Sequence, residues 1–239
     1  MGPYEVMRVL GEGAFARTLE ARHRLLGSKA CLKVGRLRIH DDALLAEARI
    51  LWDLHHPSLP TLRDVFWHTD GALVLALRLV EGTPLDRAGR LEVRQAGRIL
   101  GRLLRALRML HFKGIVHNDI KPANIILEPD RREAVLVDFG MSSVRPRSRT
   151  SAPGYTPAFV APELEDGRPP TPESDLYALG MTMMDALGGD IEDRVPPEGV
   201  PEPLLKLLRD MTRRDAAARC SWEVRDPLER LEGMLGSLR

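Results

Sequence analysis

The segment His117 to Asn124 (HNDIKPAN), followed 14 residues later by Asp138-Phe139-Gly140, carries within two short stretches the groups that phosphoryl transfer requires. That chemistry needs a carboxylate near the attacking hydroxyl, oxygen ligands for Mg²⁺ and a cation for the transferring group. Asp119 can supply the first, Asn124 with Asp138 the second and Lys121 the third. A pair of unrelated polar turns would not space so many of these groups together. Upstream, Gly11-Glu12-Gly13-Ala14-Phe15-Ala16 lies between two predicted strands. A dinucleotide-binding turn would have to open a helix. The placement suits a hairpin over phosphates, where the missing Cβ lets backbone N–H groups approach the oxygens, although taken alone the motif reads better as a plain turn.

Lys33 stands 22 residues after Gly11 at the end of an apolar strand, where a lone charge is costly unless it meets an anion. Glu47, 14 residues further on, can be that anion. Singly, the two read as a strand-edge solubiliser and a solvated helix residue. As a pair they can aim an ammonium at phosphate oxygens. The 35 basic residues comprise 30 Arg and only 5 Lys, so each lysine merits a reason, and Lys33 and Lys121 both fall where a compact ammonium would meet phosphate.

The elements that must hold these residues follow from periodicity. Tyr4 to Leu10, Thr18 to Arg24, Lys29 to Val34, Leu62 to Phe66 and Leu73 to Leu77 read as strands. Asp41 to Leu54 has helical spacing with acidic residues at its start, and His56-Pro57 is expected to stop it. After Glu81 the character turns helical. Val93, Ala96, Leu100, Leu103, Leu107 and Leu110 form a long stripe, Ser174 to Leu187 is apolar nearly all round, and Leu204 to Met211 and Trp222 to Leu235 add two more helices. Asn124 to Leu127 and Val135 to Val137 read as short strands. The expectation is an α+β chain, β-rich over 1–80 and mainly helical over 81–239.

With 239 residues, 44% apolar, and 35 Lys and Arg against 34 Asp and Glu, the chain is neither disordered nor fibrous. Its net charge of +1 gives no general pull toward nucleic acid or an anionic membrane. The longest apolar run, 72–80, is broken by Arg78 and too short to span a bilayer. The opening residues lack a signal-peptide core, and two distant cysteines make neither a disulfide framework nor a zinc cluster. A cytoplasmic location is expected.

On these motifs the chain resembles the eukaryotic-type (Hanks-type) serine/threonine protein kinase family, in a compact bacterial form, from Leu10 to Arg219. Ala161-Pro162-Glu163, Asp175 in SDLYALG and Arg219 in RRDAAAR extend the likeness. Lys121 within Asp-x-Lys-Pro-x-Asn, and Thr156 ahead of Pro157, resemble the serine/threonine branch. The resemblance implies a single two-lobe kinase domain over 1–239, with ATP and Mg²⁺ (or Mn²⁺) between the lobes. Lys33 would hold the α- and β-phosphates and pair with Glu47. Asp119 would orient the substrate hydroxyl and accept its proton, Lys121 would stabilise the γ-phosphoryl, and Asn124 and Asp138 would hold the metal ions. Leu10, Gly11, Glu12, Gly13, Ala14, Phe15, Ala16, Thr18, Cys31 and Ile126 would line the nucleotide. Leu77 would be the gatekeeper, with Arg78 to Val80 the hinge, and Leu51, Leu62, His117 and Phe139 a stacked apolar spine. Glu163 and Arg219 would form an ion pair.

Several positions depart from the family pattern. Ala16 replaces the third glycine, Thr18 the usual valine and Cys31 the alanine beside adenine, where a buried inert thiol is expected. Asn118 stands in place of the arginine that grips a phosphate on the activation segment, so activity is expected not to depend strictly on phosphorylation there. The segment still offers Ser142, Ser143, Ser148, Thr150 and Ser151 for autophosphorylation. Arg145, Arg147 and Arg149 read either as a solvated loop or as attraction for acidic substrates. Between Leu187 and Leu204, a run dense in Gly and Pro replaces the longer insert and its docking helix, shortening the chain over 188–203.

The expected function is phosphate transfer from ATP to Ser or Thr of protein substrates, autophosphorylation included. A dedicated partner or regulator chain would carry any signal. Two alternatives remain at this point: a small-molecule phosphotransferase of the same fold, acting on an antibiotic or sugar, and an ATP-binding pseudokinase scaffold.

Overall fold

A computed structural model describes residues 2–13, 16–129, 133–146, 156–193, 195–224 and 226–236, with the side chains at 38, 235 and 236 outside that description. The chain divides into two compact units, Met1–Glu81 and Gly82–Arg239.

The first unit is a five-stranded antiparallel sheet with one helix. Strands β1 (Tyr4–Glu12), β2 (Ala16–His23) and β3 (Lys29–Gly35) precede helix α1 (Asp41–Trp52), and β4 (Leu62–Trp67) and β5 (Leu73–Arg78) complete the sheet in the order β1-β2-β3-β5-β4. Alternation along β3 sorts its side chains. Ala30, Leu32 and Val34 join Tyr4, Leu19, Ala21, Val74 and Ala76 on one face, which leaves Cys31 and Lys33 to the other. On that other face Leu44 and Ala48 of α1 pack against Ala16, Leu73 and Leu75. β5, buried on both sides, therefore reads as an unbroken apolar run.

Helix α1 begins with Asp41 and Asp42 against the positive end of its dipole. It ends at Trp52, short of the expected His-Pro stop. Leu54 N–H bonds the Leu51 carbonyl and its side chain is buried, so the chain turns inward before Pro57 is reached.

The second unit holds short strands among helices. β6 (Thr83–Pro84) leads to α2 (Val93–Phe112), then β7 (Ile115–Val116), β8 (Ile125–Glu128), β9 (Glu133–Leu136) and β10 (Ser143–Val144). Helices α3 (Pro162–Glu165), α4 (Pro172–Ala186), α5 (Glu202–Met211) and α6 (Pro227–Gly236) follow. β8 pairs with β6 and β9, and β7 with β10. α4 is buried over nearly its whole circumference, as its sequence requires. Among the described residues of 188–200 there is no helix, only an Asp190–Val195 bridge and turns.

The last helix starts at Pro227, five residues after the sequence suggests. Asp226 accepts bonds from the Leu228 and Glu229 N–H groups as the N-cap, and proline suits the first helical position. Trp222 is thereby left in the preceding turn. No helix among the described residues is long and apolar enough to cross a membrane.

Candidate active site

Strand register puts three of the expected site residues in one row. Gly11 lies opposite Thr18, and Thr18 opposite Lys33. A shift in pairing at Val9/Gly11 bends β1 here, and Gly13 N–H closes the hairpin on the Ala16 carbonyl. Leu10, Gly11 and Glu12 belong to β1, and Glu12 pairs with Arg17. Ala14 and Phe15 lie outside the described residues.

Lys33 Nζ donates to Glu47 Oε2 at 2.6 Å, with side chains 13% and 2% exposed. The helix thus brings up the carboxylate that a buried ammonium requires. One row further along the sheet, Cys31 faces Leu77 and Ala30 faces Arg78. Burial pushes the Cys31 thiol up to about 11, against the opposing pull of Lys33, a shift that disfavours the thiolate. Arg78 ends β5, its N–H bonded to the Thr61 carbonyl, and Val80 follows in coil.

In the second unit Asp119 is surrounded by donors. Lys121 Nζ reaches its Oδ1 at 3.0 Å and Oδ2 at 2.8 Å, Thr156 Oγ1 donates to Oδ1 at 3.1 Å, and Asn124 Nδ2 donates to Oδ2 at 2.8 Å. Lys121 also donates to Thr156 Oγ1 at 2.9 Å. These bonds fix the direction of the carboxylate. Asn124 Nδ2 also donates to the Asp119 carbonyl at 2.8 Å, so both amide protons are spent on Asp119 and the amide oxygen is left as the acceptor. Asn124 and Asp138 flank the β8–β9 ladder, where Val137 N–H meets the Asn124 carbonyl. Asp138 is exposed and held at φ 66°, with Gly140 N–H on its Oδ1. That left-handed backbone is costly for a non-glycine residue and recurs where a side chain must be aimed. Ile126 is half-buried on β8, opposite Pro84 and Val135.

Two hard oxygen donors suit Mg²⁺, which keeps several waters and takes phosphate oxygens rather than a full protein cage. Among the described residues no group of three or more His, Cys, Asp or Glu could hold a metal ion. The residues present therefore fit a nucleotide-bound divalent ion.

The loop rests on Asp175 of α4. Its Oδ2 accepts His117 N–H at 2.8 Å, and its Oδ1 accepts Asn118 N–H at 2.9 Å. Its Oδ2 also lies 2.9 Å from His111 Nε2, and the His111 Nδ1 receives the Trp222 indole N–H at 2.8 Å. His117 packs edge-on against Phe139, ring centroids 4.7 Å apart. Burial lowers its pKa, outweighing the nearby Asp175, Asp119 and Asp138 charges. Leu51 and Leu62 belong to α1 and β4 of the first unit.

Neutral bonds stitch the start of the following segment to the loop. Asn118, at φ 69°, donates from Nδ2 to the Met141 carbonyl at 2.8 Å and to Ser143 Oγ at 2.9 Å. Ser142 Oγ meets the His117 carbonyl, β10 pairs with β7, and Arg145 N–H meets the Gly114 carbonyl. Arg147, Ser148, Arg149, Thr150 and Ser151 lie outside the described residues. Beyond the segment, Arg219 grips Glu163 with two bonds at 2.5 and 2.7 Å, stacks over Tyr177 and donates to three backbone carbonyls.

Sequence reasoning did not reach the bonds of Thr156 to Asp119 and Lys121, nor the His111–Trp222 contact. Thr156 carried a signal in its Pro157 neighbour. His111 and Trp222 are 111 residues apart and carried none.

Comparison with known proteins gives a consistent answer. The family model described as the protein kinase domain matches residues 4–225. Serine/threonine-protein kinase PknA of Mycobacterium tuberculosis is 31% identical over 79% of this chain and 47% of its own length. PknH of Mycobacterium bovis is 32% identical over 79% of this chain and 33% of its own. Serine/threonine-protein kinase D of Synechocystis is 32% identical over 76% and 40%. The chain thus spans less than half the length of these curated relatives.

Proposed function

The chain belongs to the protein kinase domain family, and on that premise we propose that it transfers the γ-phosphoryl group of ATP, with Mg²⁺ or Mn²⁺, to Ser or Thr hydroxyls of protein substrates, its own included. The observation that carries this reading is the Asp119 carboxylate fixed by Lys121, Thr156 and Asn124. Asp119 would accept the proton of the attacking hydroxyl as its oxygen bonds to the γ-phosphorus. Lys121 would stabilise the transferring group, and Thr156, tied to both, would hold the pair in register. Lys33, aimed by Glu47, would hold the α- and β-phosphates under the hairpin of Leu10 to Thr18. Cys31, Leu77, Arg78, Val80 and Ile126 would line the base. Asn124 and Asp138 would hold the metal, which supplies charge neutralisation to the phosphates.

The neutral stitching at Asn118 supports activity without phosphate on the activation segment. Complete phosphatase treatment should leave transfer to a protein substrate within about twofold; loss that rephosphorylation restores would refute this. The short 188–203 region supports substrate choice by the activation segment or by a partner chain.

The test is incubation with γ-labelled ATP and Mg²⁺, alone and with a basic and an acidic protein, beside Asp119→Ala and Lys33→Met. Label on Ser or Thr that both variants lose supports the proposal. ATP turnover on a metabolite without protein label would instead support a small-molecule phosphotransferase, and ATP binding without transfer a scaffold.

A further inference from the structure

His111 is a buried imidazole that takes no part in the transfer described above, yet both ring nitrogens are committed. An indole N–H can only donate. Trp222 Nε1, 2.8 Å from His111 Nδ1, therefore meets a nitrogen without a proton. The remaining proton sits on Nε2 and is donated to Asp175 Oδ2 at 2.9 Å, with both side chains 1% exposed. The same carboxylate receives the backbone N–H groups of His117 and Asn118, the two residues immediately before Asp119. Asn118 is held at φ 69°, a conformation that needs an external restraint.

Resting on the kinase reading, we propose that Trp222 is a remote positioning residue for the transfer reaction: by fixing the His111 tautomer it completes the Asp175 anchor that sets the backbone ahead of Asp119. Three donors converge on Asp175, and a wrongly tautomerised His111 would turn a lone pair toward the carboxylate instead of a proton. The anchor would then lose one bond and gain a repulsion. Trp222 is half-buried in the turn before α6, and that turn is itself fixed by Ser221 N–H on the Val224 carbonyl and by the Asp226 cap. The C-terminal turn thereby acts on the catalytic loop through side chains alone.

The test is Trp222→Phe, compared with His111→Gln and His111→Leu, in the full chain. Gln can accept from the indole and donate to Asp175, as the histidine does, whereas Leu can do neither. For Trp222→Phe the proposal expects kcat to fall about three- to tenfold, the size of one net hydrogen bond, with KM for ATP within about twofold. Amide exchange at His117 and Asn118 should quicken, and ¹⁵N shifts of the His111 ring should change from the pure Nε2–H form. His111→Gln should keep at least half of kcat while His111→Leu loses as much as Trp222→Phe.

An Nδ1–H form in the unmodified protein, or unchanged kcat in both Trp222→Phe and His111→Leu, would overturn the proposal. If Trp222→Phe does not fold, the Gln and Leu pair decides alone, equal losses counting against the relay. Absence of any transfer by the unmodified protein would refute the kinase reading instead, and the ring shifts and amide exchange would still judge the relay.

Discussion

In residues 1–81 the candidate site includes the ion pair Lys33–Glu47 at 2.6 Å, which joins a strand to a helix. In residues 82–239, Asp119 is fixed by three side chains and stands on a loop whose preceding backbone is bound twice by Asp175. In the first arrangement the carboxylate that aims the ammonium stands on a separate element, so rotating or shifting α1 moves it away from Lys33. The second is over-determined, so removing one partner leaves the carboxylate held by the others. A group that must meet a mobile nucleotide can be adjustable, whereas a proton acceptor must keep its direction to within a fraction of an ångström.

The comparison can be broken or sharpened by substitution, from large effects to small. Asp119→Asn removes the group proposed as proton acceptor and should lower kcat by about 10² to 10⁴-fold, read by steady-state transfer. Lys33→Met should cost about 10² to 10³-fold, since it deletes one fixed charge aimed at phosphate. Glu47→Gln, which keeps the shape and loses the charge, should cost about tenfold and raise KM for ATP. Thr156→Val should cost less than Glu47→Gln, because Lys121 and Asn124 still hold Asp119, and Thr156→Ser should be near the unmodified protein. A Thr156→Val loss larger than that of Glu47→Gln would contradict the contrast.

The smallest effect is one of pH. Burial holds the His117 pKa below its ordinary value of about 6.5, so the unfolded chain binds that proton first as pH falls. Stability should therefore decline on acidification from about 6.5 toward the depressed value, and His117→Phe should flatten that limb in denaturant titrations at pH 7.5 and 5.5.

The sequence disclosed the second unit's chemistry better than the first's. Asp119, Lys121 and Asn124 fall within six residues, so one loop carries their geometry and spacing reveals it. Lys33 and Glu47 needed a strand and a helix to meet. They were legible only because a charge at the end of an apolar strand demands a partner. Element types were largely readable from periodicity. Ends were not: α1 stops at Trp52 because Leu54 turns into the core, and α6 waits for its Asp226 cap while Trp222 serves His111. Thr156 had only its Pro157 neighbour as a signal, while His111 and Trp222 meet across segments far apart in the chain, and no local pattern encodes that contact.

The central claim is that this site moves the γ-phosphoryl group to a protein hydroxyl with Asp119 as proton acceptor. The most direct measurement is the initial rate of labelled phosphate appearing on Ser and Thr, from γ-labelled ATP and Mg²⁺, for the unmodified protein and a folded Asp119→Asn variant side by side. The account predicts label on the first and a rate at least about 10²-fold lower on the second. Equal rates, or no label on protein with either, would contradict it.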